Sequence, residues 1–141
     1  FESAKPLKEG LAEGVLIGGN LSLFQYLPQT LGPDFCKGGI LFLEDCNEEL
    51  SHIDRMLLHL KRLGVFDQIH GLILGEFTNM KDGARPYGFG FEEIILEHFQ
   101  DIDIPILINA PFGHGENLTP FMVGARAALN TTNHTIRMYS H

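Results

Sequence analysis

The chain has 141 residues, a formal net charge of −8, 44% hydrophobic and 20% charged residues, a balance that suits one globular domain with a real core. No basic cluster is longer than the pair Lys61-Arg62, so the footprint that a nucleic-acid binder needs is missing. There is no apolar run of roughly 18 residues and no charged-then-apolar leader, so neither a membrane span nor a signal peptide is expected.

Residues 1–13 (FESAKPLKEGLAE) are mixed and aperiodic and read as a linker, leaving 14–141 as the domain proper. The chain begins at Phe1 rather than Met, which reads as a fragment or a processed product. Gly14 to Ile17 suits a short strand, Gly18-Gly19-Asn20 a turn, and Leu21 to Tyr26 a helix interrupted by Pro28. The glycines match neither GxGxxG nor GxxxxGK[ST], so the turn reads as structural and not as a phosphate loop.

Ile40 to Leu43 is a run of four large apolar residues closed by Glu44-Asp45, as in a strand covered on both faces. Glu44 is thereby placed at the carboxyl edge of a sheet, where open α/β folds hold their ligands. Glu48 to Leu63 is the strongest helix, with Leu50, Ile53, Met56, Leu57, Leu60 and Leu63 in one stripe. Asp45 and Glu48 have capping-box spacing, Asn47 is a rival N-cap, and Gly64 suits the C′ position.

Ile69 to Leu74 is the next strand, and Thr78 to Gly90 a polar loop. Phe91 to Gln100 follows as an amphipathic helix and Ile104 to Ile108 as a third strand. Asn109 to Pro120 reads as a loop that carries His114. Phe121 to Leu129 and Thr135 to Tyr139 are predicted to form an antiparallel hairpin. The strand–helix alternation between 39 and 108 indicates right-handed β-α-β units and a largely parallel sheet. Glu44 and His114 then share one rim.

A carboxylate and an imidazole on one rim suggest an acid–base pair or two members of a nucleophilic triad. The nucleophile is not apparent: Ser3, Ser22, Ser51 and Ser140 are the only serines, and none sits in a GxSxG elbow. Cys46 is near Glu44 in sequence but reads as a packing residue. Cys36 and Cys46 form no CxxC and suit reduced, intracellular thiols. His52, His59, His70 and His98 lack HExxH or His/Cys ligand spacing, so no dedicated zinc site is expected.

Five blocks, GGNL at 18–21, ILFLEDCNEE at 40–49, IDRMLLHL at 53–60, LILGEF at 72–77 and PFGHGENLT at 111–119, run in an order that resembles the C-terminal domain of bacterial LD-carboxypeptidases. That family includes murein tetrapeptide carboxypeptidases and microcin immunity peptidases. The resemblance implies an α/β fold, a swivelling β/β/α domain with a largely parallel sheet and a C-terminal antiparallel hairpin. It also implies a Ser-His-Glu triad split between two domains, with Glu44 and His114 contributed from this chain. The serine and the oxyanion hole belong to an N-terminal nucleophile domain, whose Gly-x-Ser-Asp turn has no counterpart here. The family's TLPLG-like exit from the late loop is altered to TPFMVG.

The implied activity is cytoplasmic hydrolysis, without cofactor or metal, of the amide between an L-centre and a C-terminal D-amino acid in murein peptides during cell-wall recycling. The implied partners are the nucleophile domain of the same protein and the peptide, with no nucleic acid or membrane; the resemblance also allows a homodimer. Glu76 and Glu116 are candidates for contacts to substrate amino groups. Two alternatives remain: a non-catalytic swivelling binding module, or an immunity peptidase acting on an aminoacyl-nucleotide toxin. A native reading frame with a further domain upstream, about 150 residues, would favour the enzyme.

Overall fold

A computed structural model describes residues 1–139; Ser140 and His141 lie outside the described residues. Seven strands form one mixed sheet in the order β1-β5-β4-β3-β2-β6-β7. They are β1 (Lys5–Lys8), β2 (Leu11–Asn20), β3 (Ile40–Glu44), β4 (Gly71–Glu76), β5 (Ile106–Gly113), β6 (Arg126–Asn130) and β7 (Thr135–Tyr139). The four central strands, β2 to β5, are parallel, and β1, β6 and β7 add to them antiparallel.

The apolar run at 40–43 is the reason β3 is central: every one of its five residues is buried. Leu41 and Leu43 face a helical layer with Ile53, Leu57, Leu60, Leu74, Ile95 and Ile108. Ile40 and Phe42 face the other way, towards Leu16, Ile73, Leu107 and the hairpin residues Ala127 and Leu129. The helical layer consists of α1 (Leu21–Phe24), α2 (Leu27–Leu31), α3 (Leu50–Arg62) and α4 (Phe91–His98). In α3 the stripe Ile53, Met56, Leu57 and Leu60 is buried, each side chain contributing about 1.5–3 kcal/mol of apolar burial. Gly64, at φ 81°, terminates it as the C′ residue.

Residues 1–13 are not a linker. They carry β1, which pairs with β5, and the start of β2, whose Leu11–Val15 pair with β6. Thr131 fixes this segment to the hairpin: its backbone N–H donates to the Gly10 carbonyl and its hydroxyl to that of Lys8, while Gly10 N–H donates to Thr131 Oγ1. Gly18-Gly19-Asn20 is likewise the end of β2 rather than a turn, running beside Phe42 to Glu44. A Cβ on Gly18 would lie 1.8 Å from the Phe42 carbonyl oxygen, so only glycine lets these strands meet there. Pro28 does not break a helix; it sits in the first turn of α2, where its missing N–H costs nothing.

The start of α3 also departs from expectation. Its N-cap is Glu49, with no side-chain cap, and Leu50 N–H is satisfied by the Lys81 carbonyl of the 78–90 loop at 2.9 Å. Asn47 adopts φ 58° ahead of the helix, and Asp45 is engaged elsewhere.

Most consequential for the site is β5, which does not stop at Ile108. Its pairing with β4 slips twice, from Ile73↔Leu107 to Gly75↔Ala110 and then to Glu76↔Gly113. Asn109, at φ 55°, takes up the first extra residue. The bulged strand leans on Gly75, whose absent Cβ would fall 2.6 Å from the Phe112 carbonyl oxygen.

Candidate active site

Glu44 is the last residue of β3 and shares the face of Phe42, away from the helices, because side chains alternate along a strand. The prolonged β5 brings the next residue, His114, over the end of β4. His114 Nδ1 lies 2.7 Å from Glu44 Oε2. The carboxylate side chain is 12% exposed and the imidazole 51% exposed. A carboxylate accepts, so Nδ1–H of His114 donates to Glu44, and in the neutral ring it is then Nε2 that carries the lone pair. Nε2 has no hydrogen-bond partner among the described residues.

Two glycines make the approach fit. Gly113 has φ 108°, and a Cβ there would stand 3.0 Å from both Glu44 Cβ and Glu44 Oε2. Gly115 lies against the carboxylate of Glu76, where a Cβ would be 1.6 Å from Oε2. Glu76 therefore packs under the loop that carries His114, at the end of β4. Glu116 is exposed, and no hydrogen bond or ion pair of its side chain is found among the described residues.

A polar network behind Glu44 was not legible in the sequence. Asn20 Nδ2 donates to Glu44 Oε1 and to Asp45 Oδ1, each at 3.2 Å. The same side chain caps α1, its Oδ1 accepting from Leu23 N–H at 3.3 Å. Asp45, 3% exposed, accepts from Ser22 N–H at 3.0 Å and from Ser22 Oγ–H at 2.6 Å. Ser22 also contacts Glu48 Oε1 at 3.2 Å. The only sequence signal was Asn20 standing just before an apolar helical run, a favoured N-cap arrangement.

On the open side of Glu44 an apolar pocket of about 520 Å³ is lined by Gly19, Phe42, Phe112, Leu118 and Phe121 among others. Phe121 packs on Phe112 and Phe42 at centroid distances of 4.7 and 5.4 Å. The two cysteines are free. Burial pushes the Cys36 thiol up to about 12, which makes it inert as a nucleophile. Among the described residues, no three His, Cys, Asp or Glu side chains are grouped so as to hold a metal ion, and no helix is long and apolar enough to cross a membrane.

Residues 13–129 match the LD-carboxypeptidase C-terminal domain family. A "probable murein peptide carboxypeptidase" of Bacillus subtilis (strain 168) is 36% identical over 140 residues, which are 95% of this chain and 43% of that protein. The solved structure of the microcin C7 self-immunity protein MccF in its wild-type apo state superposes with a TM-score of 0.81 at 27% identity, covering 98% of this chain and 41% of that one. A muramoyltetrapeptide carboxypeptidase from Oxalobacter formigenes gives a TM-score of 0.79 at 30% identity, covering 96% and 48%. The chain thus spans less than half the length of the relatives it matches. With this sequence match and this fold in agreement, the chain belongs to the LD-carboxypeptidase C-terminal domain family.

Proposed function

We propose that the chain supplies the Glu and His of a Ser-His-Glu triad in a serine-type peptidase that acts on murein peptides in the cytoplasm. The observation that carries this reading is the 2.7 Å contact between His114 Nδ1 and Glu44 Oε2, with Nε2 left free on a half-exposed ring. In this reading a serine hydroxyl from a preceding nucleophile domain attacks the carbonyl between an L-centre and a C-terminal D-amino acid. His114 Nε2 takes the hydroxyl proton, and Glu44 stabilises the resulting imidazolium and holds its tautomer. As the tetrahedral intermediate collapses, the C–N bond breaks and the proton passes from Nε2 to the leaving amine. Water then repeats the cycle on the acyl-serine ester, regenerating the serine. Movement of this domain against its partner would open and close the site.

The test is release of the terminal D-amino acid from an LD-tetrapeptide. The protein that joins this chain to its nucleophile domain is expected to be active, and the 141-residue chain alone inert. In this reading the oxyanion donors belong to the nucleophile domain, and each accounts for roughly 10²–10³ in rate. Turnover by the chain alone, with contaminating peptidase excluded, would overturn the triad assignment.

The likeness to MccF, one of whose structures holds aspartyl sulfamoyl adenosine, favours a second reading in which the same Glu–His pair serves cleavage of an aminoacyl nucleotide. Competition between a tetrapeptide and an aminoacyl sulfamoyl nucleotide in one assay separates the two.

A further inference from the structure

A second concavity lies on the helical side of the sheet, between α1 and α3. It is a groove of about 500 Å³ lined by Ser22, Gln25, Tyr26, Glu48, His52, Arg55, Met56 and His59. Positions 52, 55 and 59 follow one another at three- and four-residue spacing, so α3 presents His52, Arg55 and His59 as a stripe. Arg55 is exposed and forms no ion pair among the described residues. The nearest groove carboxylate, Glu48, is already held by Ser22 Oγ and by His52 Nδ1 at 3.4 Å. It also precedes α3, seven residues before Arg55 in the chain.

A solvated helix face would account for one such arginine. It does not account for a concave site with two imidazoles beside that arginine on a chain with 10 Lys+Arg against 18 Asp+Glu. Nor does it account for the groove's connection to the Glu44 site. Its rim residue Ser22 bonds to Asp45, Asp45 to Asn20, and Asn20 to Glu44. Asn20 also lines the apolar pocket beside Glu44, and Ser22, two residues on, lines the groove, so the two concavities adjoin at the start of α1.

We propose that the α1–α3 groove binds a carboxylate of the substrate peptide, remote from the scissile bond, with Arg55 as its anchor. This rests on the LD-peptide reading above. The guanidinium fork matches a carboxylate with two parallel hydrogen bonds, which an imidazole or an ammonium cannot supply. The acyl part of the peptide runs from the scissile carbonyl near His114 past Asn20 and Ser22 into the groove. Arg55 is thus a specificity residue and takes no part in bond breaking.

The test uses the protein joined to its nucleophile domain and two tetrapeptides, one with free side-chain carboxylates and one with them amidated. Equilibrium binding is measured by calorimetry and turnover by D-amino acid release. The wild type is expected to bind the free acid about tenfold more tightly than the amide, as a charge-assisted bond warrants. In turnover the same preference falls on KM rather than kcat. Arg55→Met should erase the preference in both measurements and leave the amidated peptide within about twofold, while Arg55→Lys retains part of it, since the point charge survives without the fork. An acid-to-amide ratio that Arg55→Met leaves unchanged, whatever happens to the absolute rates, overturns the proposal. So does a wild type that binds both peptides alike. Arg55-dependent binding without turnover would leave the groove standing and sink the peptidase reading instead. Adenosine monophosphate is the third probe: if it binds more tightly than either peptide and loses that affinity in Arg55→Met, the groove's ligand is a phosphate and the carboxylate assignment falls.

Discussion

His114 Nδ1 and Glu44 Oε2 meet at 2.7 Å although 70 residues separate them in the chain and strand β4 runs between the strands that carry them. Replacing Glu44 by Gln keeps shape and volume but removes the negative charge that fixes the imidazole. In the protein joined to its nucleophile domain, Glu44→Gln is expected to lower kcat by about 10⁴ with the melting temperature little changed. His114→Ala should be at least as damaging. Steady-state kinetics alongside thermal unfolding checks both. Near-normal turnover in Glu44→Gln would remove Glu44 from the mechanism.

Gly113 is the residue whose backbone lets the two meet. Alanine there must adopt φ 108° and place its Cβ 3.0 Å from the Glu44 side chain. Gly113→Ala is expected to cost about 1–3 kcal/mol of stability. It should also reduce kcat by more than the stability loss explains, because Glu44 is displaced. Comparison of its melting temperature and kcat with those of an alanine at the open position Gly83 isolates the effect; equal kcat in the two variants would contradict it.

Asp45 has a different role from the one its spacing suggested. It accepts three hydrogen bonds from Ser22 and Asn20 while 3% exposed, so it seats α1 against the end of β3 rather than capping α3. Asp45→Asn would turn part of an acceptor site into a donor facing other donors, at a cost of about 1–3 kcal/mol. The measured outcome should be a lower denaturation midpoint, with kcat falling far less than in Glu44→Gln. A variant as dead as Glu44→Gln but fully stable would reverse the assignment of the two carboxylates.

Asp54 joins three elements: its carboxylate receives His98 Nε2 at 2.5 Å from α4 and the Tyr87 hydroxyl from the 78–90 loop. The hydrogen bond to Asp54, with burial second, raises the Tyr87 phenol above its ordinary value. Tyr87→Phe should release the loop, speed its cleavage in limited proteolysis, and cost about 1 kcal/mol. Unchanged cleavage kinetics at 78–90 would show that the tether is idle.

The thiols offer a check on the core. Cys36 is 1% exposed with its ionisation pushed up to about 12, so the folded thiol stays protonated at pH 8 while Cys46 is only half-buried. Iodoacetamide should modify Cys46 first and Cys36 only after denaturation. The sign for stability follows: the contribution of Cys36 is complete below the unfolded thiol's pKa, about 8.5, and declines as pH rises towards 12 because only the unfolded chain ionises. Equal labelling of both thiols in the native state would contradict this packing.

The sequence announced what local pattern controls. Ile40 to Leu43 and the stripe of α3 read correctly because an apolar run and a 3.6-residue period need no tertiary information. Strand β1, KPLK, was hidden because an edge strand is only partly buried and shows no run. The second half of β5, NAPFG, carries loop composition and holds its strand geometry only through bulges against β4. The rim shared by Glu44 and His114 followed from the β-α-β reading, but their pairing came from family likeness. The Asn20–Asp45–Ser22 network is purely tertiary, joining a strand end to a helix start across 25 and 23 residues.

A Cβ at Gly75 would meet Phe112 rather than Glu44 or His114, yet β5 holds its bulged path beside β4 only because no side chain occupies that position. Tolerance to substitution in this domain is therefore expected to be uneven. Large core residues such as Leu57 or Ile95 can be exchanged for others of similar volume with the site intact. A single methyl at Gly75 would lift the strand that carries the imidazole. In a mutational survey, this glycine should score with Glu44 and His114 and not with the scaffold, marking a place where the geometry of that pair is encoded by empty space.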